Sequence, residues 1–162
     1  MQRAVVAVCG ASVATADEEA LAAEVGRLLA GRDVLVVCGG LGGVMAAVAS
    51  GVHAAGGTSI GILPGHDTAG AAPDLSVALP TGMGEMRNAL LARMGAGMLA
   101  IGGGYGTLSE IAFARRLDRP VALLASWRVQ SPSGAGVPDE RLREFTTPEA
   151  AVDWLLGAVG AG

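Results

Sequence analysis

Short, almost uninterrupted apolar runs alternate along this chain with longer segments in which apolar residues recur every three or four positions. Runs this short and continuous are typical of strands that are covered on both faces of a parallel sheet. Six of them predict strands, at residues 4–9, 34–38, 59–63, 75–79, 98–101 and 121–124.

The longer segments predict five helices. The first begins at the capping-box pattern Thr15-x-x-Glu18, and the last begins at Thr147, a cap that is followed by Pro148. The other three are expected at about 43–55, at about 83–94 and after Thr107.

This alternation predicts an α/β fold, a single Rossmann-like, doubly wound parallel sheet with helices on both faces. We expect one nucleotide-binding domain over residues 1–162. The segment 126–140 is rich in Ser, Pro and Gly, and this composition predicts a surface loop.

Composition and charge narrow the function classes. Hydrophobic residues make up 51% of the 162 residues and aromatic residues only 3%, so the core is expected to consist of Ala, Val, Leu and Ile. The net charge of −4 is spread along the chain, which argues against a nucleic-acid partner. All 11 cationic residues are arginine. The absence of lysine excludes a P-loop of the GxxxxGK[ST] type and a lysine Schiff base with pyridoxal phosphate.

No membrane, metal or cofactor is expected from the sequence. The uncharged stretch 34–66 is broken by nine glycines and a proline, so no part of it approaches the length of a membrane span. We see no secretory leader pattern and expect a cytoplasmic protein. Cys9 and Cys38 end predicted strands and are expected to be buried thiols in a reducing compartment. They form no zinc-site spacing with His53 or His66.

Glycine-rich segments at 9–12, 38–45, 80–88 and 102–110 follow four of the predicted strands. In open parallel sheets, ligands bind beyond the carboxyl ends of the strands. Neither long glycine run matches GxGxxG, which disfavours a dinucleotide-dependent dehydrogenase. The segment "GGGYGTLSE" joins a strand to a helix N-terminus, an arrangement that favours phosphate binding. The predicted phosphate-binding residues are Gly103, Gly104, Tyr105, Gly106 and Thr107.

Arg87 is the candidate cation for the same site, because it lies in the first turns of a helix that begins at this edge. A guanidinium group can bind two phosphate oxygens at once. The alternative is an ordinary solvated arginine. The remaining pocket residues predicted from the glycine-rich segments are Gly10, Ser12, Gly39, Gly40, Gly42, Met45, Thr81, Gly82 and Asn88.

Glu110 has two interpretations. Thr107-x-x-Glu110 is itself a capping-box pattern, in which the glutamate only bonds a backbone N–H. However, apolar residues flank Glu110 on both sides of its helix, and a helix that is apolar on both sides is covered on both sides. That arrangement would place the carboxylate in a partly enclosed site, and it also suggests a homodimer interface.

These segments together resemble the LOG (Lonely Guy) family and its relatives in the SLOG superfamily, over roughly residues 4–125. "GGGYGTLSE" corresponds to the family's PGGxGTxxE, residues 39–57 to its GGGxxGLMGxVA segment, and "MRN" at 86–88 to its arginine-lysine motif. LOG enzymes hydrolyse the N-glycosidic bond of nucleoside 5′-monophosphates to a base and ribose 5-phosphate. By this resemblance Arg87 and Glu110 are the catalytic pair, and the ligand is a phosphorylated, nucleotide-like small molecule.

Three residues depart from the LOG pattern. Gly102 replaces the motif proline, Asn88 replaces the lysine, and Ser109 replaces a common second glutamate. The departures are more similar to the branch that contains molybdenum-cofactor carrier proteins and DprA/Smf-related proteins. The resemblance therefore implies either a phosphoribohydrolase or a non-catalytic carrier or sensor of a phosphorylated nucleotide or pterin ligand, in both cases as a homodimer. It does not imply the lysine decarboxylase activity with which the family is often labelled, since no lysine is present.

Overall fold

The computed structural model describes residues 2–129 and 139–160. It contains a seven-stranded sheet in the order β4-β3-β2-β1-β5-β6-β7, and every neighbouring pair is parallel. The strands are β1 (Val5–Gly10), β2 (Leu35–Cys38), β3 (Ser59–Leu63), β4 (Val77–Pro80), β5 (Gly97–Ile101), β6 (Val121–Leu124) and β7 (Leu142–Phe145). The predicted α/β fold with a doubly wound parallel sheet is confirmed.

Five α-helices connect or follow the strands. They are α1 (Ala16–Gly31), α2 (Val44–Ala54), α3 (Arg87–Met94), α4 (Tyr105–Arg116) and α5 (Pro148–Ala158), and a 3-10 turn at Gly84–Met86 precedes α3. The predicted caps at both ends of the chain are confirmed. Thr15 and Glu18 form a complete capping box on α1, and the Thr147 hydroxyl accepts from the amide of Ala150. No helix of the described residues is long and apolar enough to cross a membrane.

The two faces of the sheet carry separate hydrophobic layers, as the alternation of side chains along a strand requires. Val6 and Val8 of β1 pack with residues of α1, α2 and α5. Ala7 and Cys9 face the other way and pack with residues of α3 and α4. Both cysteines are buried and free, as the sequence predicted.

The end of the chain differs from the prediction, because β7 was not expected. Its sequence is Leu-Arg-Glu-Phe, and it pairs with β6 at the edge of the sheet with Arg143 and Glu144 exposed. In the segment 126–140, the structure describes residues 126–129 as irregular backbone and residues 139–140 as the approach to β7. The predicted loop residues 130–138 lie outside the described residues.

Candidate functional site

A cleft of about 380 Å³ lies at the carboxyl edge of the sheet. It is formed where β1, β2 and β5 end, together with the segment that leads into α3. Because all these strands are parallel, their carboxyl ends meet at one edge, and the glycine-rich segments that follow them come together there. The cleft is lined by Gly10, Ser12, Leu41, Met45, Glu85, Arg87, Asn88, Gly104, Tyr105, Gly106, Thr107 and Glu110.

The first turn of α4 presents unpaired backbone donors to this cleft. Gly104 is the N-cap and makes no side-chain capping bond. The amides of Tyr105, Gly106 and Thr107 donate no hydrogen bond within the described part of the chain. Unpaired amides at a helix N-terminus, together with the positive end of the helix dipole, favour an anion.

The turn before α4 depends on glycine at two positions. Gly102 has φ +55° and Gly103 has φ +110°, values that side-chain-bearing residues rarely adopt. A Cβ atom at Gly103 would also overlap the Thr107 side chain. The conformation explains the departure at position 102, because the ring of proline fixes φ near −65° and could not follow this path.

The carbonyl groups of the turn accept hydrogen bonds from side chains in the segment that follows β6. Ser126 Oγ donates to the carbonyl oxygen of Gly102 at 2.7 Å, and Trp127 Nε1 donates to that of Gly104 at 3.0 Å. The Trp127 ring also packs against Tyr105, with 5.7 Å between the ring centroids. These contacts fix the turn so that its amides face the cleft.

Arg87 is buried at the base of the cleft, with only 8% of its surface exposed. Its Nη1 donates to the carbonyl oxygens of Gly39 and Ile62, both at 2.9 Å. Its Nε is buried and has no partner in the described residues. The interpretation of Arg87 as a solvated surface residue is therefore wrong. The expected binding of two phosphate oxygens by the guanidinium group is also restricted, because Nη1 is already hydrogen-bonded and Nε is inaccessible. Only Nη2 is left for a ligand.

Glu110 is not a capping residue. Helix α4 begins at Tyr105, so Thr107 is its third residue rather than its cap, and the capping-box interpretation is wrong. The physical reason is that Gly104 is already the N-cap, because its carbonyl oxygen accepts a helical hydrogen bond from the amide of Leu108. Glu110 instead lines the cleft with 7% of its surface exposed.

The environment of Glu110 makes its carboxyl group unusually weak as an acid. Burial raises its pKa to about 7, although the positive charge of Arg87 and an interaction with the Cys9 thiol both lower it. The negative charge of Glu85 adds a smaller increase. A carboxyl group with this pKa can exchange a proton near neutral pH.

Asn88 connects α3 to the first turns of α4. Its Nδ2 donates to Ser109 Oγ at 2.9 Å, and Ser109 Oγ donates to the carbonyl oxygen of Gly106 at 2.6 Å. Asn88 is 5% exposed, and it lines the cleft beside Arg87. Two of the departures from the LOG pattern, Asn88 and Ser109, are thus hydrogen-bonded to each other.

The structure places most of the predicted site residues in the cleft lining, but not all of them. Gly39 lies beneath Arg87, Thr81 bonds the carbonyl of Leu63, and Gly82 packs on His66. The predicted residues that do not line the cleft are Gly39, Gly40, Gly42, Thr81, Gly82 and Gly103, the last of which borders a neighbouring cavity. Leu41 and Glu85 line the cleft and were not predicted, although both lie within the glycine-rich segments that indicated the site.

Known proteins resemble this chain over nearly its whole length. An uncharacterized protein of Archaeoglobus fulgidus is 36% identical over 154 residues, which cover 94% of this chain and 95% of that protein. The structure is similar to that of the molybdenum cofactor binding protein from Rippkaea orientalis, with a TM-score of 0.88 and 29% identity over 97% of this chain and 98% of the other. A Moco carrier protein from Chlamydomonas reinhardtii gives a TM-score of 0.82 and 28% identity over 96% and 99% of the two chains.

The sequence also matches a family model over most of the domain. The model describes the SLOG cluster4 family, and it covers residues 3–152. This match includes every segment that lines the cleft, and it agrees with the resemblance to SLOG proteins that the motifs indicated. The chain belongs to the SLOG cluster4 family.

Proposed function

We propose that the protein binds a phosphorylated pterin or nucleotide-like molecule in this cleft and carries it without chemical conversion. One observation carries the proposal: the unpaired amides of residues 105–107 face a cleft that also contains the buried guanidinium group of Arg87. Backbone donors and a cation in one cleft are suited to a phosphate group. The similarity to proteins named for binding or carrying molybdenum cofactor supports a pterin-type cargo.

The proposal can be tested at Gly106, where a methyl group can be added without disturbing the fold. Gly106 lies in the first turn of α4, and a Cβ atom there would have no heavy atom within 4 Å. Alanine in a helix is favoured over glycine by about 0.5–1 kcal/mol, so Gly106→Ala is expected to be more stable than the parent. The added methyl group would nevertheless stand at the lining of the cleft, beside the amides that hold the phosphate.

The matched control is Gly157→Ala, which adds a methyl group in equally open space on α5, away from the cleft. Each protein is incubated with molybdenum cofactor released from a molybdoenzyme, and the retained pterin is measured by fluorescence after oxidation. We expect Gly157→Ala to retain cofactor like the parent and Gly106→Ala to retain on the order of tenfold less, equivalent to about 1.4 kcal/mol. Failure of the parent to retain cofactor would refute a pterin cargo, and equal retention by both variants would refute binding at the start of α4.

A second candidate function is hydrolysis of nucleoside 5′-monophosphates, which the presence of Arg87 and Glu110 in one cleft favours. In that case Glu110 would stabilise the positive charge that develops on the ribose ring. The parent and Glu110→Gln are incubated with a panel of nucleoside monophosphates, and free base is followed by chromatography. A hydrolase releases base, and its Gln variant should be slower by about 100-fold or more. A carrier binds ligand and releases no base.

We further propose that the protein is a cytoplasmic homodimer. Phe113 of α4 is 41% exposed in the single chain although its neighbours Ile111 and Ala114 are buried, which leaves an apolar patch on this helix. Light scattering of the purified protein tests the dimer. A monomeric mass at micromolar concentration would exclude it.

A further inference from the structure

The hydrogen bonds that join Asn88, Ser109 and Gly106 can run in one direction only. The carbonyl oxygen of Gly106 accepts hydrogen bonds but cannot donate them, so the single hydroxyl proton of Ser109 is directed to it. The Ser109 oxygen must then accept from Asn88. The carboxamide of Asn88 is therefore oriented by chemistry, with Nδ2 towards Ser109 and Oδ1 turned away.

The oxygen of this carboxamide is available to a ligand. Asn88 lines the cleft, and its Oδ1 makes no hydrogen bond with residues 2–129 or 139–160. Within those residues, the fully buried polar side-chain atoms without a partner are Nε of Arg87 and Nε of Arg119. Oδ1 of Asn88 is not one of them, and Asn88 itself lines the cleft, so we take the cleft as the space from which a ligand reaches this oxygen.

The cleft thus presents both hydrogen-bond donors and hydrogen-bond acceptors to a ligand. The donors are the amides at the start of α4 and Nη2 of Arg87, and the acceptors are the oxygen atoms of Asn88, Glu85 and Glu110. A ligand that satisfies both sets carries an anionic group for the donors and N–H groups for the acceptors. The edge common to pterin and guanine, a 2-amino-4-oxopyrimidine, has both a ring N–H and an amino group.

We infer that Asn88 determines ligand specificity, because its Oδ1 accepts a hydrogen bond from an N–H group of the ligand's ring while Ser109 holds the carboxamide in place. This inference rests on the proposed binding of a pterin or nucleotide-like ligand in the cleft. It names the feature that such a ligand must have, which is an N–H donor on its ring edge. A ring that presents only acceptors there would face an oxygen with no partner.

Three nucleotides test the inference, because they carry two, one and no kinds of donor on this edge; the last of them also lacks the 6-oxo group. GMP carries the ring N–H and the amino group, IMP carries the ring N–H alone, and purine riboside 5′-monophosphate carries neither. Calorimetry gives the dissociation constant of each for the parent, Asn88→Ala and Ser109→Ala. Ser109 does not line the cleft, so its variant changes the orientation of Asn88 without removing a contact.

We expect the parent to bind GMP about threefold to tenfold more tightly than the analogue that lacks the accepted donor, the range for one hydrogen bond. That analogue is IMP if Asn88 accepts from the amino group, and purine riboside 5′-monophosphate if it accepts from the ring N–H. Asn88→Ala should bind all three nucleotides within about twofold of one another. In Ser109→Ala the Asn88 carboxamide is free to turn, so the preference for GMP over the other two nucleotides should also become smaller than in the parent. Unchanged preferences in both variants would overturn the inference.

A parent protein that binds none of the three nucleotides would also overturn it, because the ring-edge donor is the ligand feature that the inference claims. The proposed function would remain distinguishable in that case, since it depends on the separate measurement of retained pterin cofactor. Retention of cofactor together with equal binding of the three nucleotides by the parent would leave the carrier proposal standing and refute the role of Asn88.

Discussion

The guanidinium group of Arg87 occupies the space in which any larger residue at position 39 would place its Cβ atom. A Cβ atom added to Gly39 would overlap Nη1 of Arg87 and Sδ of Met45. The carbonyl oxygen of the same glycine accepts a hydrogen bond from Nη1. Gly39 therefore both makes room for Arg87 and orients it, although it does not itself line the cleft.

Gly39→Ala is expected to displace Arg87. Inserting a methyl group into this packed position should lower the free energy of unfolding by about 1–3 kcal/mol, measured by urea denaturation, and should weaken cofactor retention. Gly42→Ala is the control in the same glycine-rich segment, since the nearest heavy atom to its added Cβ would be Ser12 O at 3.5 Å. We expect the control to stay within about 0.5 kcal/mol of the parent. Equal stability of the two variants would contradict the packing described for Arg87.

The raised pKa of Glu110 should make stability depend on pH. Its pKa is about 7 in the folded protein against an ordinary value of 4.5, so the folded state binds the proton more tightly than the unfolded chain. The stability from this group is fully present below about pH 4.5, is lost as the pH rises through 7, and is constant above. The total loss corresponds to about 3 kcal/mol.

Glu110→Gln isolates this effect from the other carboxylates, because glutamine has the same size and does not titrate. The free energy of unfolding of the variant, relative to the parent, should increase by about 3 kcal/mol between pH 4.5 and 8. Urea denaturation at a series of pH values measures the difference. A difference that does not change with pH would show that the pKa of Glu110 is not raised in the folded protein.

Gly104→Asp should stabilise the protein while excluding its ligand. Gly104 is an N-cap without a capping side chain, and a Cβ atom there would lie in open space. An aspartate cap is expected to add a few tenths of a kcal/mol, but its carboxylate would occupy the amides offered to the phosphate. Gly104→Asn caps about equally well without the charge. Ligand binding should fall further in the Asp variant than in the Asn variant, and equal binding by both would argue against an anion at this turn.

Trp127→Phe should make the turn before α4 less rigid. The variant loses the hydrogen bond from Nε1 to Gly104, whose carbonyl oxygen still accepts from the amide of Leu108, and it keeps an aromatic ring beside Tyr105. We expect a loss of about 0.5–1.5 kcal/mol in unfolding free energy and weaker retention of ligand. Trp154→Phe is the control, because Trp154 packs against Phe145. Equal retention by the two variants would show that Trp127 does not position the turn.

Most of the fold was predictable because the inner strands of the sheet are buried on both faces and therefore read as continuous apolar runs. The edge strand β4 is also apolar, although it is largely exposed and not covered on both faces as its sequence predicted. The strand β7 escaped this criterion for a physical reason. It lies at an edge, where exposed charges such as Arg143 and Glu144 discourage pairing with further strands. A short edge strand with a charged centre has no apolar pattern by which to recognise it.

The location of the site was predictable, but the roles of its side chains were less so. Glycine-rich segments after parallel strands indicated the cleft, since that relationship follows from topology. Glu110 satisfied a local capping pattern that the actual start of α4 makes irrelevant, and no local pattern shows that a helix begins at a glycine. The support from Ser126 and Trp127 joins residues that are more than 20 positions apart, so it requires the folded chain.

The hydrogen bonds to the carbonyl oxygens of this turn also affect whether the turn favours a cation or an anion. The carbonyl oxygens of Gly102, Gly104 and Gly106 already accept from Ser126, Trp127 and Ser109. The amides of residues 105–107 at the start of α4 donate to no group in the described part of the chain. A metal ion or an amine would find these three oxygens engaged and would meet the positive end of the helix, whereas an anion would meet the free amides. The backbone alone therefore discriminates between anions and cations, before any side chain in the cleft contacts the ligand.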